Sequence, residues 1–459
     1  MLDPWIGAVE LRDLIIRREL RPREAAEFSL RRIERLNPGL GAFMTVTADR
    51  ALEDADRLER LPDEIRRTMP LFGVPYSLKD LTWTRGIRTT LGSKNYENFI
   101  PPTDHEYASR IAAAGGILLG KTTTPELGGR PVTEGGLCPT ARNPWNPQYT
   151  AGGSSGGAAV SLAAGMNSIA EGSDGGGSIR IPAACCGLVG IKPSRGRVSM
   201  APAMGEAWAG FATNGPLARS VRDAALLLDV MAGSVVGDPY TAPPPPHRFV
   251  EAIKVQPRRL RLGAIAESAL GLTDPEVRAR FEAACNAFRE LGHSVEAIAL
   301  DPGQQLRDLA AGLVCAGLNS VPIANPELMD PEVRAPWERG RSITAAEYIN
   351  LVTQMHNVAR IIVQTLQPYD ALLTPTLTRP AIKVGTGLRF DELWSWLAFT
   401  FPFNATGQPA VSVPNGFSGD GLPIGLQIVG RPYDECGIIG LAAQFEEARP
   451  WGDRRPPVD

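Results

Sequence analysis

The stretch GGILLGKTT, residues 115–123, decides between two folds. Gly115, Gly120, Lys121 and Thr122 satisfy G-x-x-x-x-G-K-[ST], the spacing of a phosphate-binding loop, which needs a strand, then the glycine loop, then a helix. Here the flanking residues run the other way. Upstream, DHEYASRIAAAGG reads as a helix with Asp104 as its cap, Tyr107, Ala108, Ile111 and Ala112 on one face, and Gly115 as its end. Ile117, Leu118 and Leu119 then form a short strand inside the supposed loop, and Pro125 leaves no free helix N-terminus for a phosphate. The stretch is a helix–strand unit of an α/β protein and carries no nucleotide role.

Similar units lie on either side. Two amphipathic helices open the chain, VELRDLIIRREL and PREAAEFSLRRIERLN, the second stopped by Asn37-Pro38. Residues 1–69 are expected to pack on a core formed by residues 70–235, which are dense in glycine and small residues. TAPPPPHRF (241–249) breaks regular structure. Beyond it, DPEVRARFEAACNAFRELG reads as a helix and SVEAIAL as a strand. YDALLTPT, PAVSVP and PIGLQIVG read as further strands, so residues 236–459 return to the same sheet.

Lys plus Arg (47) nearly balances Asp plus Glu (50), so no global field favours nucleic acid or anionic lipid. Charged residues at Asp3, Glu10, Arg12 and Asp13 and the lack of a long apolar run argue for a cytoplasmic protein without a membrane span. The six cysteines show no C-x-x-C spacing, so buried thiols in a reducing compartment are expected, with no metal and no cofactor.

TAGGSSGGAA contains G-x-S-x-G, the nucleophile elbow, but ARNPWNPQYT precedes it where a strand is required. Of the four histidines, His247, His293 and His356 follow it, and none sits in a setting that suits a catalytic base. A nucleophilic serine therefore needs another base, and lysine is the candidate. PLFGVPYSLKDLTW places Lys79 at the end of an apolar segment, where a strand could bury its amine and bring its titration toward neutrality. GGSSGGAAVSLAAGM and EGSDGGGSIRIPAACCG place Ser154 and Ser178 at glycine-rich loops whose N–H groups suit an oxyanion.

Together, GGSSGG, D-x-G-G-S-I-R-x-P and the upstream G-V-P-x-x-L-K-D resemble the amidase signature family of serine hydrolases. GKTTTPE, GIKPSRGRVS, GPLARSVRD, LLTPT and GLPIGLQIVGRPYDE extend the resemblance over about residues 8–451. It implies a single large α/β/α domain with a central mixed, twisted sheet. It also implies a catalytic set of Lys79, Ser154 preceded by a cis peptide, and the nucleophile Ser178, with the N–H groups of Gly175, Gly176 and Gly177 as the oxyanion hole. SRGRVS and ARSVRD look like bacterial nylon cyclic-oligomer hydrolases and urethanases, so the expected substrate is a small amide (an anilide) or carbamate, cleaved by a monomer or homodimer. Alternatives are an amidotransferase-type subunit that generates ammonia within a complex, and a narrow amidase without carbamate activity. The sequence departs from the family at Gly175 and Cys185, changes expected to loosen the acyl side of the pocket. WSWLAFTFPF (394–403) and residues around Cys315 are candidates for lining an apolar leaving-group site.

Overall fold

One mixed sheet runs through the whole chain in the computed structural model, which describes residues 2–255, 257, 259–300, 303–386 and 390–458. Its strands are β1 (Phe43–Val46), β2 (Pro75–Lys79), β3 (Ile117–Thr122), β4 (Ile169–Asp174), β5 (Val189–Lys192) and β6 (Thr213–Ala218). They are followed by β7 (Arg261–Ala264), β8 (Ser294–Ala297), β9 (Ala371–Pro375), β10 (Ala410–Phe417) and β11 (Pro423–Gly430). The spatial order is β1-β3-β2-β4-β6-β5-β10-β11-β9-β7-β8. β2 pairs in parallel with both β3 and β4, and β7 with both β8 and β9, while the remaining pairs are antiparallel.

Side chains alternate across each strand, and the central strands are buried on both faces. Ile117 and Leu119 therefore join one apolar cluster with Leu11, Ile33 and Val160, while Leu118 joins the other with Leu228, Phe288 and Ile438. Helices thus cover the sheet on both sides, the α/β/α architecture expected from the resemblance. The N-terminal region adds β1 to the sheet edge as well as its helices.

Several local expectations change. The second helix spans Pro22–Leu40 and passes through Pro38. A proline in the final turn interrupts little, and the helix ends at Gly41, whose φ of 66° and close approach to the Thr140 carbonyl admit no side chain. Asp104 does not cap the helix Glu106–Ala113; its carboxylate accepts the Arg85 N–H at 2.7 Å instead. Ala112 faces solvent rather than the core. β3 extends past Leu119 to Thr122, so the lysine of the apparent phosphate motif lies inside a buried strand. Lys121 Nζ donates to the Thr82 carbonyl and to the hydroxyls of Thr84 (3.1 Å) and Thr89 (3.0 Å), pinning the 82–89 loop. Among the described residues no helix is long and apolar enough to cross a membrane.

Candidate active site

Lys79 closes β2, between β3 and β4, and has no exposed surface. Burial pushes its ammonium down to about 7, against the opposing pull of Glu171 and Asp174. Its Nζ donates to Ser154 Oγ at 2.7 Å and to Ser173 Oγ, on β4, at 2.9 Å. The cooperation of β2 and β4 follows from their parallel pairing, which aligns Ser77 with Ala170 and sends both strand ends to the same side of the sheet.

Ser154 stands just before the helix Gly156–Ala163, and the Gly153–Ser154 peptide is cis. Thr133 holds this turn: its hydroxyl donates to the Gly152 carbonyl at 3.0 Å and accepts the Gly156 N–H at 3.2 Å. The run of glycines lets the helix rest directly on backbone. Any Cβ on Gly157 would collide with Thr123 N and Ala42 O, and the Gly157 N–H donates to the Thr123 carbonyl at 3.1 Å. The segment that mimics a phosphate loop thus seats the helix behind Ser154.

Ser178 is half-buried, on the loop between β4 and the helix Arg180–Cys186. The two serine turns are tied together, since the Ser155 N–H donates to the Ser178 carbonyl at 3.2 Å and Ser155 Oγ donates to the Ser173 carbonyl at 3.2 Å. Ser154, Ser173 and Ser178 border one cavity of about 790 Å³.

Asp174 organises the loop from below. Its carboxylate accepts the N–H groups of Gly177 (2.7 Å) and Ile179 (3.1 Å) and pairs with Arg180 at 2.9 Å. Burial alone would raise its pKa, but the Arg180 charge and hydrogen bond, the Lys192 charge and the Asn404 hydrogen bond hold it well below the usual carboxylate range. Arg180 in turn donates to the Thr400 carbonyl (2.8 Å), Gln427 Oε1 (2.7 Å) and Asn404 Oδ1 (2.6 Å). The Gly177 N–H, one of the three expected to hold an oxyanion, donates to Asp174 in this structure. The N–H groups of Gly175, Gly176 and Ser178 have no acceptor among the described residues.

The match to known proteins settles the relationship, because residues 24–439 fit the family model described as Amidase. The chain belongs to the amidase family. An acylamidase of Rhodococcus erythropolis is 34% identical, with 98% of this chain and 97% of the relative covered. A solved 6-aminohexanoate cyclic dimer hydrolase complexed with its substrate superposes with a TM-score of 0.93 at 31% identity over 100% of both chains. A bacterial aryl acylamidase structure superposes with a TM-score of 0.88 at 29% identity over 97% of both.

The amidase-family chain carries a second, narrow cavity of about 60 Å³ beside Ser178, lined by Ile181, Phe211, Val314, Trp394, Leu397 and Phe401. Two of the segments singled out in the sequence therefore do reach the site, although Cys315 itself is not in the wall. Ser173 and Asp174 were within the quoted motif, but no periodicity marks them as partners of Lys79 and Gly177. His105, which precedes the serine motifs, borders the wide cavity. Burial, followed by the Lys121 charge, brings it down to about 3, so its neutral Nδ1 accepts the Trp83 N–H at 2.8 Å. The six cysteines are all buried, and none forms a disulfide among the described residues. Among the described residues no group of three or more His, Cys, Asp or Glu side chains is placed to hold a metal ion.

Proposed function

We infer that this amidase-family hydrolase cleaves C–N bonds of small amides, anilides foremost, and of carbamates, through an acyl-enzyme on Ser178. The observation that carries this reading is Lys79: a fully buried amine that titrates near neutrality, 2.7 Å from Ser154 Oγ. A neutral lysine is a base, and the serine between it and the nucleophile is a relay.

In this reading Ser178 Oγ bonds to the substrate carbonyl carbon as its proton passes to Ser154, whose own proton passes to Lys79 Nζ. The carbonyl electron pair moves onto oxygen, which the free N–H groups of Gly175 and Gly176 receive. Collapse breaks the C–N bond. The amine takes a proton from Ser154, which recovers one from Lys79. Water then attacks the acyl carbonyl, gives up a proton along the same path, and the acid leaves as Ser178 regains its hydrogen. With a carbamate the intermediate is an alkyl carbonate ester of Ser178. The carbamate activity rests on sequence likeness to urethanases, since both substrate classes need the same nucleophile and donors.

The test is aniline release from an acyl anilide and from an alkyl carbamate of the same aniline, with Ser178→Ala as the blank. Release from both, lost in the variant, is the expected result. Release from the anilide alone removes the carbamate part, and release from neither overturns the reading in favour of a narrower amidase or a complex-dependent subunit.

A further inference from the structure

Gly175 was expected to loosen the pocket, but the space it leaves is occupied. A Cβ at Gly175 would lie 2.8 Å from Cε3 and 2.9 Å from Cζ3 of Trp208. A Cβ at Gly317, in the helix Gly303–Asn319, would collide with Trp208 Cδ1. The indole thus has its six-membered ring against one glycine and its five-membered ring against another, distant in sequence. Larger residues at either position would exclude it.

The backbone beneath it is unusual. Trp208 and Ala209 have φ values of 56° and 53°, a left-handed conformation that bulky residues rarely adopt and that surrounding contacts must enforce. Those contacts are present: Glu206 Oε2 accepts the Gly210 N–H at 2.6 Å, Arg195 Nε donates to the Gly210 carbonyl at 2.6 Å, and the Phe211 N–H donates to the Trp208 carbonyl at 3.1 Å.

Trp208 borders both cavities that meet at Ser178. Ser154, the proton donor to the departing amine in the mechanism above, borders only the wide one, which also holds Trp83, Tyr96, Phe99, Tyr107 and Tyr348. The amine therefore departs into the wide space, and the small slot is left for the acyl group, so Trp394, Leu397 and Phe401 fall on the acyl side rather than on the leaving-group side expected from the sequence.

We propose that Trp208 is a specificity-determining residue: seated on Gly175 and Gly317, it divides the space before Ser178 and selects substrates with a flat aryl ring directly on the scissile nitrogen. This rests on the reading under Proposed function and adds the residue that makes the choice. Aromatic contact favours an aryl amine over an alkyl amine of similar size, because rings pack edge or face against the indole.

The test compares acetanilide with N-hexylacetamide, which share one acyl group. Trp208→Ala is expected to lower kcat/KM for acetanilide by about tenfold or more and for N-hexylacetamide by less than about threefold, while Trp208→Phe keeps most of the aryl preference. Gly317→Ala, whose Cβ would collide with Trp208 Cδ1, is expected to displace the indole and so to reduce the aryl preference. An unchanged aryl-to-alkyl ratio in Trp208→Ala, or in Gly317→Ala if the first variant does not fold, overturns the proposal. A binding pair separates this failure from failure of the mechanism. Calorimetric titration of acetanilide into Ser178→Ala and into Ser178→Ala/Trp208→Ala reads the contact without turnover. Weaker binding by about fivefold or more in the double variant supports the role of Trp208 even if wild type turns over neither substrate, and equal binding overturns it.

Discussion

The guanidinium of Arg180 meets the carboxylate of Asp174 at 2.9 Å with neither side chain exposed, and the loop that carries Ser178 hangs between them. A buried charge that loses its partner costs far more than the pair contributes. Asp174→Asn is therefore expected to lower unfolding free energy by about 3–5 kcal/mol, read from urea denaturation, and to reduce turnover with it. A change within experimental error would mean that Thr400, Gln427 and Asn404 suffice for Arg180.

Replacement of Lys79 by methionine separates chemistry from stability. Turnover is expected to fall by about 10²–10⁴, the range for a general base. The urea midpoint is expected to rise, because the apolar side chain escapes the burial cost that depresses the lysine. A variant that retains turnover would remove Lys79 from the proton path.

The pH profile follows from the same group. Lys79 works as a base only when neutral, and its folded pKa lies near about 7, below the ordinary 10.5. The plot of kcat/KM is expected to rise with pH through about 7 and then level off. Glu171, which accepts the Lys79 backbone N–H at 2.9 Å, favours the charged amine, so Glu171→Gln is expected to move the rising limb to lower pH. A limb that stays in place would show that Glu171 carries no charge in the working enzyme.

Ser173 is the second acceptor of the Lys79 amine. Its replacement by alanine leaves the Ser154 bond in place and removes one hydrogen bond, which is about 1 kcal/mol and corresponds to a several-fold loss of kcat. KM is expected to stay the same, since the hydroxyl aims the base rather than the substrate. A change in KM alone would assign Ser173 to substrate binding.

Introducing a side chain at Gly175 tests the wall from the opposite direction. Gly175→Thr would press on Trp208, and overpacking of this kind costs about 1–3 kcal/mol. A lower melting temperature is expected, together with a changed ratio of carbamate to anilide turnover. An unchanged ratio would exclude the space at Gly175 from any role in selecting between the two substrate classes.

Lys79, Ser154 and Ser178 could be singled out because each sits in its own short motif, with the glycines that its turn requires beside it, and the structure brings Lys79 and Ser154 into contact and sets Ser178 on the same cavity. The reversed order around residues 115–123 was legible for a similar reason, since a helix and a strand differ in apolar period. Trp208 was not legible. Its position depends on a left-handed backbone pair and on Gly317, more than a hundred residues away, and neither leaves a local pattern. The place of the Gly177 N–H in an oxyanion hole came with the family resemblance, and motif spacing cannot tell which way a peptide points; here that N–H donates to Asp174, three residues earlier. Asp104 had the chemistry of a helix cap, but the Arg85 N–H competed for the same carboxylate.

The groups of the inferred proton path all come from residues 79–178, on and around two neighbouring strands, whereas the far walls of the two cavities come from residues 313–348 and 393–401. The proton path is thus confined to the earlier stretch, while the cavity walls draw on both, from Trp83 and Trp208 to the far helices. Changes in the later stretch can alter what fits while the nucleophile stays aimed. Grafting a relative's counterpart of residues 313–348 would rebuild one wall of the wide cavity while leaving the bond-breaking groups untouched.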